Sequence, residues 1–106
     1  MKDYKEIAVK IGKMGHFRAI YQCGSPSNYH PVNLYCELSE AYVIGYKFYV
    51  SYSPREWGID YSLDTSIDRR ADMTHISGIK TDKEMYAKVQ EVIDKIREHC
   101  GVKKEG

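Results

Sequence analysis

The sequence predicts an α+β fold: an antiparallel β-meander of about five strands with one C-terminal α-helix packed across one face. Three observations carry this expectation. Residues 42–68 hold two alternating apolar–polar runs on either side of "SPRE"; residues 81–101 hold a capped amphipathic helix; and two β-rich runs, "HFRAIYQC" and "PVNLYCEL", come before both.

In chain order, "YKEIAVKIG" supports two readings. Tyr4, Ile7, Ala8 and Ile11 have helical spacing, whereas Ile7, Val9 and Ile11 alternate. The β-branched content and the following "GKMG" favour a strand over residues 4–11, with a helix as the alternative. "HFRAIYQC" and "PVNLYCEL" are strands joined by the proline-bracketed loop "GSPSNYHP" at 24–31, and "SEA" at 39–41 fits a tight turn.

The hairpin has the clearest pattern. Tyr42, Ile44, Tyr46, Phe48, Val50 and Tyr52 alternate with Val43, Gly45, Lys47, Tyr49 and Ser51. Trp57, Ile59, Tyr61, Leu63, Thr65 and Ile67 alternate with Gly58, Asp60, Ser62, Asp64, Ser66 and Asp68. Such a period of two marks half-buried strands. With 53–56 as the loop, Tyr52 faces Trp57, Val50 faces Ile59 and Phe48 faces Tyr61, continuing to Tyr46–Leu63, Ile44–Thr65 and Tyr42–Ile67. A one-residue slip would turn one apolar set outward, so the register is specified. Asp60, Asp64 and Asp68 are then expected on a solvated face.

Residues 69–80 read as a long connection with room for a short strand. Thr81-Asp82-Lys83-Glu84 fits a capping box, and Met85, Val89, Val92, Ile93, Ile96 and Cys100 form one apolar stripe. Glu84–Lys88 and Glu91–Lys95 are spaced for ion pairs, Gly101 for a left-handed cap, and residues 102–106 for a frayed tail.

Composition bounds the function. A chain of 106 residues, 42% hydrophobic and 29% charged, is read as a single domain over 1–106. A net charge of +1 argues against both a nucleic-acid mimic and a generic polyanion binder. The chain opens without an apolar leader, and Cys23, Cys36 and Cys100 match no disulfide scaffold, so a soluble, cytoplasmic protein is expected.

Chemistry-bearing motifs are sparse. Cys23, His30 and Cys36 surround one loop without chelating spacing; no metal or cofactor is expected, and Cys36 reads as a small core hydrophobe. His16, His30, His75 and His99 are candidate bases without a catalytic motif around them. An enzyme would need an acid–base pair brought together by folding.

What remains is a sheet face. Extending the alternation puts Arg18, Gln22, Asn33, Tyr35, Glu37, Lys47 and Tyr49 outward. Tyrosine offers large contact area at low entropy cost, so Tyr35, Lys47 and Tyr49 are the candidate partner-binding residues, with Tyr29 and His30 as a second patch. The expected function is a small non-enzymatic binding protein acting by protein–protein contact, with self-association as a homodimer one form of it. An inhibitor or regulator of the kind carried by phages or mobile elements matches in size alone. The alternative is a nucleotide or nucleic-acid ligand held by Arg18, Lys47, Tyr49 and Arg69 or Arg70.

Overall fold

The computed structural model describes residues 2–102. Helix α1 (Tyr4–Gly12) precedes strands β1 (Phe17–Gln22), β2 (Val32–Leu38), β3 (Lys47–Ser53), β4 (Glu56–Tyr61) and β5 (Thr74–Ile79), and helix α2 (Asp82–His99) follows them. The strands form one sheet in the order β1-β2-β3-β4-β5, each antiparallel to its neighbour. The expected meander and C-terminal helix are present, and a second helix joins them.

That second helix corrects the strand favoured for residues 4–11. The Asp3 carboxylate caps it by accepting from the Lys5 amide at 2.9 Å. Ile7 and Ile11, one turn apart, are buried, while Val9 between them is exposed. Weak β-branched helix propensity costs a few tenths of a kcal/mol per residue, whereas burying an isoleucine contributes roughly 1.5–3 kcal/mol. Packing decides the segment.

The β3–β4 hairpin keeps the expected register near its turn. Tyr52 pairs with Trp57, Val50 with Ile59 and Phe48 with Tyr61, and Ser53 also pairs with Glu56, so the turn narrows to Pro54-Arg55. Beyond Phe48–Tyr61 the expected ladder is replaced by loops. On one side Gly45 has φ of 90°, a conformation that favours glycine, and the Val43 amide donates to the Glu40 carbonyl. The Leu38 amide then donates to the Tyr46 carbonyl, closing the β2–β3 connection. This reversal turns Val43 into the core and leaves Tyr42 and Ile44 exposed, the opposite of their expected sides. On the other side Ser62 Oγ accepts from the Asp64 amide, and the Asp64 carboxylate accepts from both the amide and hydroxyl of Ser66. Those local bonds end β4 at Tyr61. Residues 70–72 form a short 3-10 turn before β5.

The core lies between the inner sheet face and the two helices. Leu34, Cys36, Phe48, Val50, Trp57 and Ile59 meet Ile7 and Ile11 of α1 and Met85, Val89, Val92, Ile93 and Ile96 of α2. Trp57 also ties the hairpin to the start of α2, since its indole N–H donates to Asp82 at 3.0 Å. The Lys2 ammonium, with smaller help from that indole, holds the Asp82 carboxyl below its ordinary range against the effect of burial.

Helix α2 begins as expected, with Thr81 Oγ1 accepting from the Glu84 amide at 3.1 Å. Its exit is a Schellman motif: Gly101, at φ of 75°, donates to Glu98, and Val102 donates to Arg97. Val102, expected in a frayed tail, therefore belongs to the helix cap; the remaining residues, 103–106, lie outside the described ones. The surface pairs differ from expectation too, with Lys88 bonded to Glu91 and Lys95 to the Tyr61 hydroxyl. Among the described residues no helix is long and apolar enough to cross a membrane.

Two substitutions test these turns. Gly45→Ala is expected to destabilise by about 1 kcal/mol or more, because alanine resists positive φ. Thr81→Ala is expected to lose about 1 kcal/mol with its cap. Urea titration followed by circular dichroism reads both.

Candidate functional site

The register that buries the core also aligns a row of polar and aromatic side chains on the opposite face. Tyr21 pairs with Tyr35, Tyr35 with Tyr49, Tyr49 with Asp60, and Asp60 with His75. The row crosses all the strands of the sheet, roughly 19 Å at the usual spacing of about 4.8 Å between strands.

Its aromatic half is continuous. Tyr21 stacks on Tyr35 with ring centroids 4.9 Å apart, and Tyr35 meets Tyr49 edge-on at 5.5 Å. The Tyr35 hydroxyl donates to Glu37 at 2.5 Å, and the Arg18 guanidinium approaches the same carboxylate at 3.4 Å. Burial, reinforced by Glu37, pushes the Tyr35 phenol well above its ordinary pKa. Burial also raises the Tyr49 phenol, with Arg70 and Lys47 pulling against it.

The other half is a charged cluster. Arg70, carried by the 3-10 turn, lies over the Tyr49 ring at 4.5 Å from its centroid. Its Nε donates to Asp60 at 2.7 Å and its Nη1 to Asn33 at 2.6 Å. The other Asp60 oxygen meets His75 Nδ1 at 2.5 Å. Gly58 makes room for that ring, because a Cβ there would stand 3.2 Å from His75 Cε1. Asp60 is thus a buried acceptor for two donors, which corrects the expectation of a solvated carboxylate. Asp64 and Asp68 lie in the following loop, where Asp68 pairs with Lys47 at 3.1 Å.

Of the candidate residues, Tyr35 and Tyr49 stand side by side in the row, and Lys47 shares their face with its side chain largely covered. Tyr29 and His30 are exposed in the β1–β2 connection, outside the row. Arg18 and Arg70 both reach the face, whereas Arg69 pairs loosely with Asp72 at 4.0 Å in the 3-10 turn. Cys36 is buried on the inner face, and burial pushes its thiol up. Cys23 is half-buried and its thiol is raised for the same reason.

Sequence reasoning missed Tyr21 and the joining of Asp60 to His75. A bulge between Phe17 and Ala19 shifts the parity of β1, turning Tyr21 outward and Gln22, expected outward, to the side of Leu34. A period-two pattern carries no signal for a one-residue insertion. His75 needed the position of β5, which lay within an irregular stretch.

No protein-family model matches this chain, no curated protein matches it in sequence, and no solved structure matches its fold.

Asp60→Ala is expected to destabilise by about 1–3 kcal/mol, since it leaves Arg70 and His75 without their acceptor; chemical denaturation reads the loss. Folded Tyr35 also holds its proton more tightly than the unfolded chain does. Stability should therefore fall as pH rises past the ordinary phenol value of about 10, and Tyr35→Phe should flatten that fall. Urea titrations on either side of this pH measure the slope.

Proposed function

We propose that this chain is a small binding protein that acts by protein–protein contact through the outer sheet face. The observation that carries the reading is the row Tyr21–Tyr35–Tyr49, extended by Arg70. Tyrosine and arginine are the residue types most enriched where truncation costs a complex most affinity. Here they are immobilised by one another, which lowers the entropy lost on binding.

The charges favour this over nucleic acid. Arg18 faces Glu37, Lys47 faces Asp68, Arg69 faces Asp72 and Arg70 faces Asp60, so each of these cations already has a carboxylate beside it. Polyanion binding draws its affinity from several cations that meet successive phosphates, and on this face each cation stands beside an acid that would meet the same polymer.

The Asp60–His75 contact is the kind of acid–base pair an enzyme would need. Grooves of about 480 Å³ between α1 and β1 and about 360 Å³ between β5 and α2 lie at the helix side and margins of the sheet, away from that pair. A row of side chains running across the five strands suits a macromolecular surface better than an enclosed small substrate. Free cysteines fit a reducing compartment such as the cytoplasm. Inhibition or regulation of the bound protein is the role we assign to the contact, and self-association is one form it can take.

Affinity capture from the native host followed by mass spectrometry tests the reading, with light scattering to detect a homodimer. Tyr21→Ala combined with Tyr49→Ala is expected to weaken the captured complex by tenfold or more, about 1.4 kcal/mol, while circular dichroism reports the fold. Capture that survives both substitutions, or that disappears on nuclease treatment, would sink the proposal.

A further inference from the structure

Resting on the protein-contact reading, we propose that Arg70 is the anchor of the outer face and receives an aspartate or glutamate carboxylate from the partner. The guanidinium is held on three sides: the Tyr49 ring beneath it, Asp60 on Nε and Asn33 on Nη1. A guanidinium carries five N–H donors, and these bonds occupy Nε and one hydrogen of Nη1. The remaining hydrogens are on Nη1 and Nη2, in a side chain 33% exposed. A carboxylate accepts from such charged N–H groups in short, strong bonds, and a guanidinium already fixed in place loses little freedom in forming them.

The counter-charge bonds Arg70 through Nε and leaves Nη2 unbonded among the described residues. Asp60 is shared between Arg70 and His75, and its carboxylate is only 11% exposed between them. The groups around Arg70 include Tyr49, Asn33 and Asp60, the Cys23 thiol near enough to feel its charge, and His75 across Asp60 and 56% exposed. The exposed charged and titratable side chains of the Asp60 cluster are therefore Arg70 and His75, with the Asp60 carboxylate the most covered of the three. That arrangement complements a single acidic side chain.

The surrounding charges select a protein carboxylate over a phosphate polymer. Asp68 stands 86% exposed at the Lys47 end of the face, and Glu37 lies beside Tyr35. A strand of closely spaced phosphates crossing the row meets those acids as well as Arg70. One carboxylate set among ring contacts meets Arg70 alone.

The test pans a displayed library of random linear peptides against the immobilised full chain. Binding of the selected peptides is then measured on the wild type and on Arg70→Gln, Arg70→Lys, Tyr49→Ala and Arg69→Gln. Single-stranded RNA and inorganic phosphate are run alongside, and melting curves check each variant's fold. The selected peptides are expected to share an aspartate or glutamate. Replacing it by the amide should weaken binding about tenfold; Arg70→Gln should do the same, and the two changes together should add little more. Arg70→Lys should fall between, and Arg69→Gln should bind normally. A variant-free check is the Arg70 Nε–H resonance of the wild type, expected to move on peptide addition. Peptides that need Tyr49 but lack an acid, or ignore Arg70→Gln, overturn the carboxylate anchor and leave the protein-contact reading standing. Peptides indifferent to both positions, or an empty selection with RNA or phosphate moving the Arg70 resonance, overturn both. An empty selection with neither anion bound overturns the anchor.

Discussion

The register of β3 against β4 is the constraint on which the other features depend. Setting Val50 opposite Ile59 and Phe48 opposite Tyr61 places their side chains on the inner face, against α2. Because strand side chains alternate, the same register sets Tyr49 opposite Asp60 on the outer face. A slip of one residue would expose the core and dismantle the polar row together. Core and candidate site are two sides of one pairing.

Asp60 carries that pairing into the irregular part of the chain. Burying a carboxylate is costly unless its lone pairs are filled, and Arg70 and His75 fill them from two different elements. The carboxylate thereby holds the 3-10 turn and β5 in a fixed relation to the sheet. Arg70 is brought over Tyr49 as a result, so the charged and aromatic halves of the row form one surface. The exposed Tyr42 and Ile44 arise differently, as the outward residues of a turn anchored by buried Val43.

Turn chemistry explains why the long alternating runs do not become long strands. Alternation reports which side a residue would take if the strand continued, but it does not report where the strand stops. Gly45 at positive φ and the Ser62–Asp64–Ser66 bonds stop it on the two sides, each through a local bond that competes with the ladder. The bulge in β1 acts in the same way on parity, and it decides that Tyr21 rather than Gln22 joins the outer row.

The sequence by itself determined the α+β class, the register around Pro54-Arg55, the capped C-terminal helix with its apolar stripe, and the outward side of Tyr35 and Tyr49. Each rests on a periodicity or a cap that a few neighbouring residues carry locally. Only the tertiary structure decided that residues 4–12 are helical, since two isoleucines gain more by burial than a β-branched segment loses in propensity. It alone brought Tyr21, Asp60, Arg70 and His75 together. Those residues come from different elements, and their meeting depends on a bulge, a buried carboxylate and the position of β5, none of which leaves a periodic trace along the chain.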